Sequence, residues 1–60
     1  MKFTVEIECD NAAFEVGPNE EIARILRDLA DTLEAHPAAG GAFPLRDING
    51  NRVGAGVLSE

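Results

Sequence analysis

Residues 45–54 read Leu-Arg-Asp-Ile-Asn-Gly-Asn-Arg-Val-Gly (LRDINGNRVG), and this stretch predicts how the chain folds. Asp47 and Gly50 hold the first and fourth positions of a type I turn, where aspartate and glycine are favoured. Gly50 also provides the left-handed residue that a three-residue hairpin loop with a bulge requires. The stretch therefore predicts a β-hairpin whose loop consists of residues 48–50.

A second loop length competes with this one, because Asn49-Gly50 also suits a two-residue loop with a type I′ turn. The shorter loop would pair Leu45 with Gly54 and mix apolar and polar side chains on each face. The three-residue loop pairs Leu45 with Val53 and Arg46 with Arg52. It is favoured because it gathers the apolar side chains on one face, and a slip of one residue would send them into water. These apolar residues are Phe43, Leu45, Val53, Ala55 and Val57.

The spacing Asp47-x-Asn49-x-Asn51 is similar to the start of a calcium-binding loop. An EF-hand loop needs glycine at its sixth position and a bidentate glutamate at its twelfth. Here Gly50 stands at the fourth position and Leu58 at the twelfth. The stretch therefore predicts a turn without a calcium site, and we expect no metal or cofactor anywhere in the chain.

The chain opens with an alternating stretch, Met1 to Cys9, that predicts a strand with one buried face. We expect Cys9, the only cysteine, to be a small buried hydrophobic residue in a reducing compartment. The apolar positions are Phe3, Val5, Ile7 and Cys9, and the polar positions are Lys2, Thr4, Glu6 and Glu8.

The three-residue hairpin loop places Arg46 opposite Arg52 on the outer face, which is unfavourable for two like charges. The first strand can relieve this repulsion if it pairs beside the hairpin, because its outer face carries Glu6 and Glu8. We therefore expect these two glutamates to neutralise the two arginines in part.

A helix is predicted between the first strand and the hairpin. Gly17-Pro18-Asn19-Glu20-Glu21 has the cap residues, the first-turn proline and the acidic residues typical of a helix start. His36-Pro37 is expected to end the helix, because the residue before proline avoids the helical conformation. Residues 37–42 then form a connection. The apolar stripe that would pack on the sheet consists of Ile22, Ile25, Leu26, Leu29, Ala30 and Leu33.

The segment from Ala12 to Val16 is predicted as a short extension or edge strand, with Phe14 folding back onto the core.

Taken together, the elements predict one small domain over residues 1–60. Its fold class is α+β, with the order β-α-β-β: a three-stranded antiparallel sheet and one helix packed on one face. A chain of this length buries only about 60% of its unfolded surface, so a monomer is marginally stable.

The charge balance limits the classes of partner. Eleven acidic residues stand against five basic ones, a net charge of −6. Direct binding to nucleic acid or to an anionic membrane needs a basic footprint, so neither is expected. The chain has neither a basic start before an apolar run nor a long apolar segment, so we expect no secretory signal and no transmembrane helix. Basic protein surfaces are the favoured partners.

If the sheet neutralises its own charges, the excess negative charge lies on the helix and its flanks. Asp28, Asp31 and Glu34 follow one another at three-residue spacing near the C-terminal end of the helix, where the dipole disfavours acids. An ordinary solvated face is the simpler interpretation of this run, and a partner-binding face is the alternative. The candidate partner-binding residues are Glu20, Glu21, Asp28, Asp31 and Glu34.

Catalysis has little support in this sequence. His36 is the only histidine, and the hydroxyl groups have no evident base beside them. No apolar pocket is predicted that would raise the pKa of a carboxyl group. We therefore expect the protein not to be an enzyme.

Four segments of the chain resemble a type of short acidic protein found in phages and prophages. They are Met1 to Val5 (MKFTV), Asp10 to Phe14 (DNAAF), Ala23 to Glu34 (ARILRDLADTLE) and Leu45 to Gly54. The resemblance implies a β-α-β-β fold and a mobile-element origin, hence the cytoplasm of a bacterial host cell, and it brings no catalytic residues. Anti-CRISPR inhibitors are similar in size and charge, and some occupy a basic DNA-binding groove as DNA mimics.

Two classes of function follow from these observations. The first is an inhibitor that acts through protein–protein interaction, binding a basic surface of a nucleic-acid-binding host complex with these five acidic residues of its helix. The second is a small phage accessory or structural protein that self-associates as a homodimer through the helix or a free strand edge.

Overall fold

The computed structural model describes residues 1–35 and 41–59. In chain order the elements are strand β1 (Lys2–Ile7), a 3₁₀ helix (Ala12–Phe14), helix α1 (Pro18–Ala35), strand β2 (Ala42–Arg46) and strand β3 (Arg52–Ser59). The strands form a three-stranded antiparallel sheet in the order β1-β3-β2. The predicted α+β fold is confirmed. The predicted helix stop at His36-Pro37 and most of the predicted connection lie outside the described residues.

The hairpin between β2 and β3 closes with the predicted three-residue loop. The backbone N–H of Gly50 donates to the carbonyl oxygen of Asp47 at 3.0 Å, and the N–H of Asp47 donates to the carbonyl of Asn51 at 2.9 Å. Gly50 has a φ of 86°, which is the left-handed conformation expected of it. Arg46 pairs with Arg52, as predicted.

The register changes one residue further from the loop. Leu45 pairs with Gly54 and not with Val53, so Val53 is the extra residue of a β-bulge. The bulge reverses the alternation along the rest of β3. The prediction that Ala55 and Val57 face the core is therefore wrong: Val57 is 40% exposed. Gly54 and Gly56 take the inward positions instead.

Both inward glycines of β3 lie where another group approaches closely. A Cβ atom on Gly54 would overlap the carbonyl oxygen of Glu6 in β1. A Cβ atom on Gly56 would lie 2.8 Å from Cζ of Phe3 and 3.3 Å from Cδ2 of Leu29. The centre of the sheet is thus thin enough for the helix to pack against it. The rings of Phe3 and Phe43 meet edge to face at this point, with their centroids 6.4 Å apart.

The core lies between α1, the hairpin and the 3₁₀ helix. Part of the predicted apolar stripe of α1 is buried in it, but Leu26 is 43% exposed and Ala30 is also exposed. The helix makes its main sheet contacts with β2, so the flank of the stripe that points away from β2 is left partly uncovered. The buried apolar residues are Phe14, Ile25, Leu29, Phe43, Leu45 and Val53.

The segment after β1 folds as a 3₁₀ helix, so the predicted extension or edge strand is wrong. Asn11 caps this turn, because its Oδ1 accepts a hydrogen bond from the N–H of Ala13 at 3.0 Å. The capped turn directs Phe14 into the core, where only 4% of its surface is exposed. The prediction that Phe14 folds back onto the core is confirmed.

Strand β1 lies at the edge of the sheet and is only half covered. Its inward residues Phe3 and Val5 are each 38% exposed. Cys9 lies beyond the end of the strand and is exposed, so the prediction of a buried cysteine is wrong. The sequence alternation continues to Cys9, but the strand pairing ends at Ile7, and the helix lies against β2 at the opposite edge of the sheet.

Replacing Gly50 by Val tests the loop. We expect a loss of about 1–3 kcal/mol in the free energy of unfolding, because a β-branched residue resists positive φ. Asn49→Val is the matched control, since no residue other than glycine has positive φ in the described chain. Urea denaturation of both variants measures the difference, and equal losses would contradict the loop assignment.

Candidate interaction surface

The side chain of Asp47 is buried at the base of the hairpin loop, with 4% of its surface exposed. Its Oδ1 accepts hydrogen bonds from the N–H groups of Asn49 (2.9 Å) and Asn51 (2.8 Å). Its Oδ2 accepts from Nδ2 of Asn11 (2.7 Å) and from Nδ2 of Asn51 (3.3 Å). One carboxylate therefore closes the loop and joins it to the cap of the 3₁₀ helix.

These hydrogen-bond donors favour the ionised form of Asp47. Burial by itself would raise the pKa of Asp47, but the backbone and side chain of Asn51, the amide of Asn11 and the N–H of Asn49 together hold the pKa below its ordinary value of 3.8. Among the described residues, the groups that hydrogen-bond to this carboxylate are all N–H donors. The loop is therefore built around an anion that belongs to the chain, and the predicted turn is confirmed.

Glu21 holds the helix against the same loop. Its carboxylate accepts two hydrogen bonds from Arg24, at 2.8 Å from Nε and 3.2 Å from Nη2, and a third from the backbone N–H of Ile48 at 2.8 Å. The hydrogen bond from Arg24 is the main reason that the pKa of Glu21 lies below its ordinary value of 4.5; burial opposes it and the N–H of Ile48 assists it. Glu21 is only 7% exposed. The expectation that it belongs to an exposed acidic face is therefore corrected.

Arg24 is the cation that connects the helix to the sheet. Besides Glu21, its guanidinium binds Asp28 at 2.8 Å and donates to the carbonyl oxygen of Arg46 at 3.1 Å. It therefore fixes one edge of the sheet to the polar side of the helix.

The predicted neutralisation of the two hairpin arginines is wrong. Among the described residues, neither Arg46 nor Arg52 lies within 4.0 Å of an acidic group, Glu6 and Glu8 included. Arg46 instead donates from Nη1 to the carbonyl of Gly50 at 3.3 Å. Strand β3 lies between β1 and β2, so Arg46 in β2 is separated from the glutamates of β1. Arg52 lies in β3, which borders β1, but it forms no ion pair with Glu6 or Glu8.

The five acids of the predicted face thus divide into three kinds. Glu21 is internal, and Asp28 is ion-paired with Arg24 although its side chain is 67% exposed. Glu20, Asp31 and Glu34 are exposed and have no ion-pair partner among the residues that the structure describes. These last three residues, with the outer side of Asp28, are called the acidic helix face below.

A shallow cleft of about 170 Å³ lies between α1 and β2. Ile25, Leu29, Phe43 and Leu45 form its apolar part, and Asp28 and Arg46 are among its polar lining residues. Small-molecule sites are ordinarily about 300–1,000 Å³, whereas a cavity of about 150 Å³ holds one benzene ring. The cleft has the size for one side chain of a partner and is too small for a typical cofactor.

Within residues 1–35 and 41–59, no three His, Cys, Asp or Glu side chains are grouped closely enough to hold a metal ion. The helices of this part of the chain are too short or too polar to span a bilayer.

Sequence reasoning identified Asp47 as a turn residue but missed that it is buried. The available signal was Asn11, an amide side chain that follows β1 directly, but nothing in the sequence shows that it meets a residue 36 positions away. The contact of Glu21 with Ile48 had no signal, because a glutamate in the first helical turn is adequately explained by the helix dipole.

Comparison with known proteins finds no protein-family model, no curated protein and no solved structure that matches the chain. The resemblance to short acidic phage proteins stays a prediction.

The two depressed pKa values predict a loss of stability in acid. A carboxyl group whose folded pKa is lowered stabilises the fold above its unfolded pKa, and the contribution is lost as the pH falls through the folded pKa. We expect the free energy of unfolding to fall as the pH drops below about 4.5, the ordinary value for Glu21, and further below 3.8, that for Asp47.

Asp47→Asn tests which group is responsible. The variant should melt at a lower temperature at pH 7, because an amide nitrogen would face N–H donors, and its stability should depend less on pH in acid. Asp31→Asn, at an exposed position, is the control and should melt like the parent chain. Thermal melts from pH 7 to pH 3 measure both effects; identical curves for the two variants would contradict the role given to Asp47.

Proposed function

We propose that the protein is a non-enzymatic interaction protein that binds a basic surface of another protein through its acidic helix face. The observation that supports the proposal is the exposure of Glu20, Asp31 and Glu34 without ion-pair partners among the described residues. Their neighbours Glu21 and Arg24 are fixed by internal hydrogen bonds, so the helix that carries them is anchored. An anchored helix loses little backbone conformational entropy when it binds.

The charge density of the helix helps to choose between kinds of partner. Helix α1 contains five acids and two arginines in 18 residues, a net charge of −3 over about 27 Å. Duplex DNA carries one negative charge per about 1.7 Å. The helix is therefore several times less charged per unit length than DNA. The helix is therefore better suited to bind a basic patch on a protein than to imitate the phosphate backbone closely.

The partner that fits this face is a protein with a cluster of lysine or arginine side chains, such as lines the groove of a nucleic-acid-binding complex. Complementary charge would speed association and make it sensitive to salt. Together with the resemblance to short acidic phage proteins, this leads us to propose an inhibitor of the anti-CRISPR kind that acts in the cytoplasm of a bacterial host.

The test is capture of proteins from a bacterial lysate on the immobilised chain, with elution by duplex DNA. The expected result is a captured nucleic-acid-binding protein that DNA displaces and that the double variant Asp31→Lys/Glu34→Lys no longer retains. Asp28 is left unchanged, because its reversal would also break the ion pair with Arg24.

The matched control is Glu8→Lys/Glu15→Lys, which makes an equal change in net charge at exposed positions outside the helix. It should retain the partner nearly as well as the parent chain. Equal loss in both double variants would mean that net charge alone drives binding, and retention by the helix variant would refute the acidic helix face as the site.

A further inference from the structure

We infer that the free edge of β1 is a homodimer interface, in which β1 pairs antiparallel with β1 of a second copy about a two-fold axis at Thr4. The inference is independent of the proposed function, because β1 is not part of the acidic helix face. The partner at this edge is a second copy of the chain, paired in a single register.

The direction of the backbone groups in β1 follows from its bonds to β3. The N–H of Glu8 donates to the carbonyl of Val53 at 2.8 Å, and the carbonyl of Lys2 accepts a hydrogen bond from the hydroxyl of Ser59 at 3.4 Å. Even-numbered residues of β1 therefore turn their backbone groups toward β3. In an antiparallel pair the direction alternates, so Phe3 and Val5 turn theirs toward the free edge.

Those edge groups are open. No hydrogen bond among the described residues engages the backbone of Phe3 or Val5 outside the β1–β3 pairing. Ile7 also points to this edge, but the thiol of Cys9 lies 3.8 Å from its carbonyl oxygen. The most accessible donors and acceptors of the edge thus belong to Phe3 and Val5.

The opposite edge of the sheet is protected, and the contrast is informative. There β2 has Pro44 at its centre, which has no N–H to offer. The carbonyl oxygen of Arg46 at the same edge already accepts a hydrogen bond from Arg24. Proteins commonly block an edge strand in such ways to prevent pairing with another chain. Strand β2 is blocked in both ways, by Pro44 and by the bonded carbonyl of Arg46, whereas the backbone N–H and C=O groups of Phe3 and Val5 in β1 remain open.

With the two-fold axis at Thr4, every open backbone N–H and C=O group of Phe3 and Val5 finds a hydrogen-bond partner. It places Phe3 of each copy opposite Val5 of the other, and both residues turn their backbone toward the partner strand. Each such pair exchanges two hydrogen bonds, as antiparallel neighbours of this kind do. The inward side chains of the same residues, each 38% exposed in the single chain, would then cover one another.

The same register makes the charges complementary. Lys2 of each copy lies opposite Glu6 of the other, and Thr4 lies opposite its own counterpart. Moving the axis to Val5 would place Lys2 opposite Glu8, which lies beyond the strand end. It would also need the carbonyl oxygen of Ile7 as an acceptor between the two strands, and the thiol of Cys9 already lies beside that oxygen. An axis at Glu6 would place two glutamates face to face. Only the Thr4 register pairs opposite charges within the strand on both sides of the axis.

Charge exchange between Lys2 and Glu6 tests the register. The parent chain should sediment at about twice its 6.4 kDa mass at high concentration. Lys2→Glu and Glu6→Lys should each weaken the dimer about tenfold, because two attractive cross-strand pairs become repulsive. The double variant Lys2→Glu/Glu6→Lys should restore it. An equimolar mixture of the two single variants should form a heterodimer tighter than either homodimer.

Amide hydrogen exchange provides a readout that does not depend on variants. In the dimer the N–H groups of Phe3 and Val5 should be protected like those of Thr4 and Glu6, whose N–H groups face β3. On dilution to monomer, Phe3 and Val5 should exchange fast while Thr4 and Glu6 stay protected.

Three outcomes would overturn the inference. A chain that sediments as a monomer up to millimolar concentration has no such interface. A dimer in which Phe3 and Val5 exchange fast, and which ignores both charge variants, uses another surface. Protection of Phe3 and Val5 that develops only when a different protein is added assigns the edge to that protein. Asp31→Lys/Glu34→Lys should leave the dimer unchanged, which separates this result from that of the acidic helix face.

Discussion

A single carboxylate, that of Asp47, is the interaction on which the rest of the fold depends. Its two oxygens are bound by N–H groups from the hairpin loop and by the side chain of Asn11. A 60-residue chain has little apolar surface to bury, so each buried polar contact between distant segments has a large share in defining the fold. With the loop fixed in this way, the N–H of Ile48 is held where Glu21 can accept it, and the helix is oriented against the hairpin.

The position of the helix follows from these polar contacts as much as from the apolar core. Glu21 and Arg24 hold α1 close to the loop and to β2, and the bare backbone at Gly56 allows Leu29 to approach the sheet. A single helix placed toward β2 leaves β1 half covered. The partial exposure of Phe3 and Val5 is therefore a direct consequence of where the helix is anchored, and it occurs at the edge whose backbone groups remain open.

Most charged residues of the helix fall into two groups with different consequences. Arg24, Glu21 and Asp28 form a connected set that stabilises the tertiary structure. The acids further along the outer side of the helix make no such contacts among the described residues, and they give the helix its net negative charge. The acidic helix face and the β1 edge belong to different elements, so a dimer through β1 would carry two acidic faces. Such a pair would suit a partner with repeated or extended basic surface, because two linked contacts bind more tightly than one.

The sequence by itself determined the order of the elements, the helix start, the inward Phe14 and the three-residue loop at Gly50, because each depends on local chemistry: periodicity, caps and the conformational freedom of glycine. Only the tertiary structure decided the bulge at Val53, the exposure of Cys9, the burial of Glu21 and the partners of Arg24 and Arg46. A bulge changes the side on which every later residue of a strand lies, and period-two patterning cannot reveal it. Ion pairs depend on which strands are neighbours, and the order β1-β3-β2 separated Arg46 in β2 from the glutamates of β1 that the sequence alone had suggested it would meet.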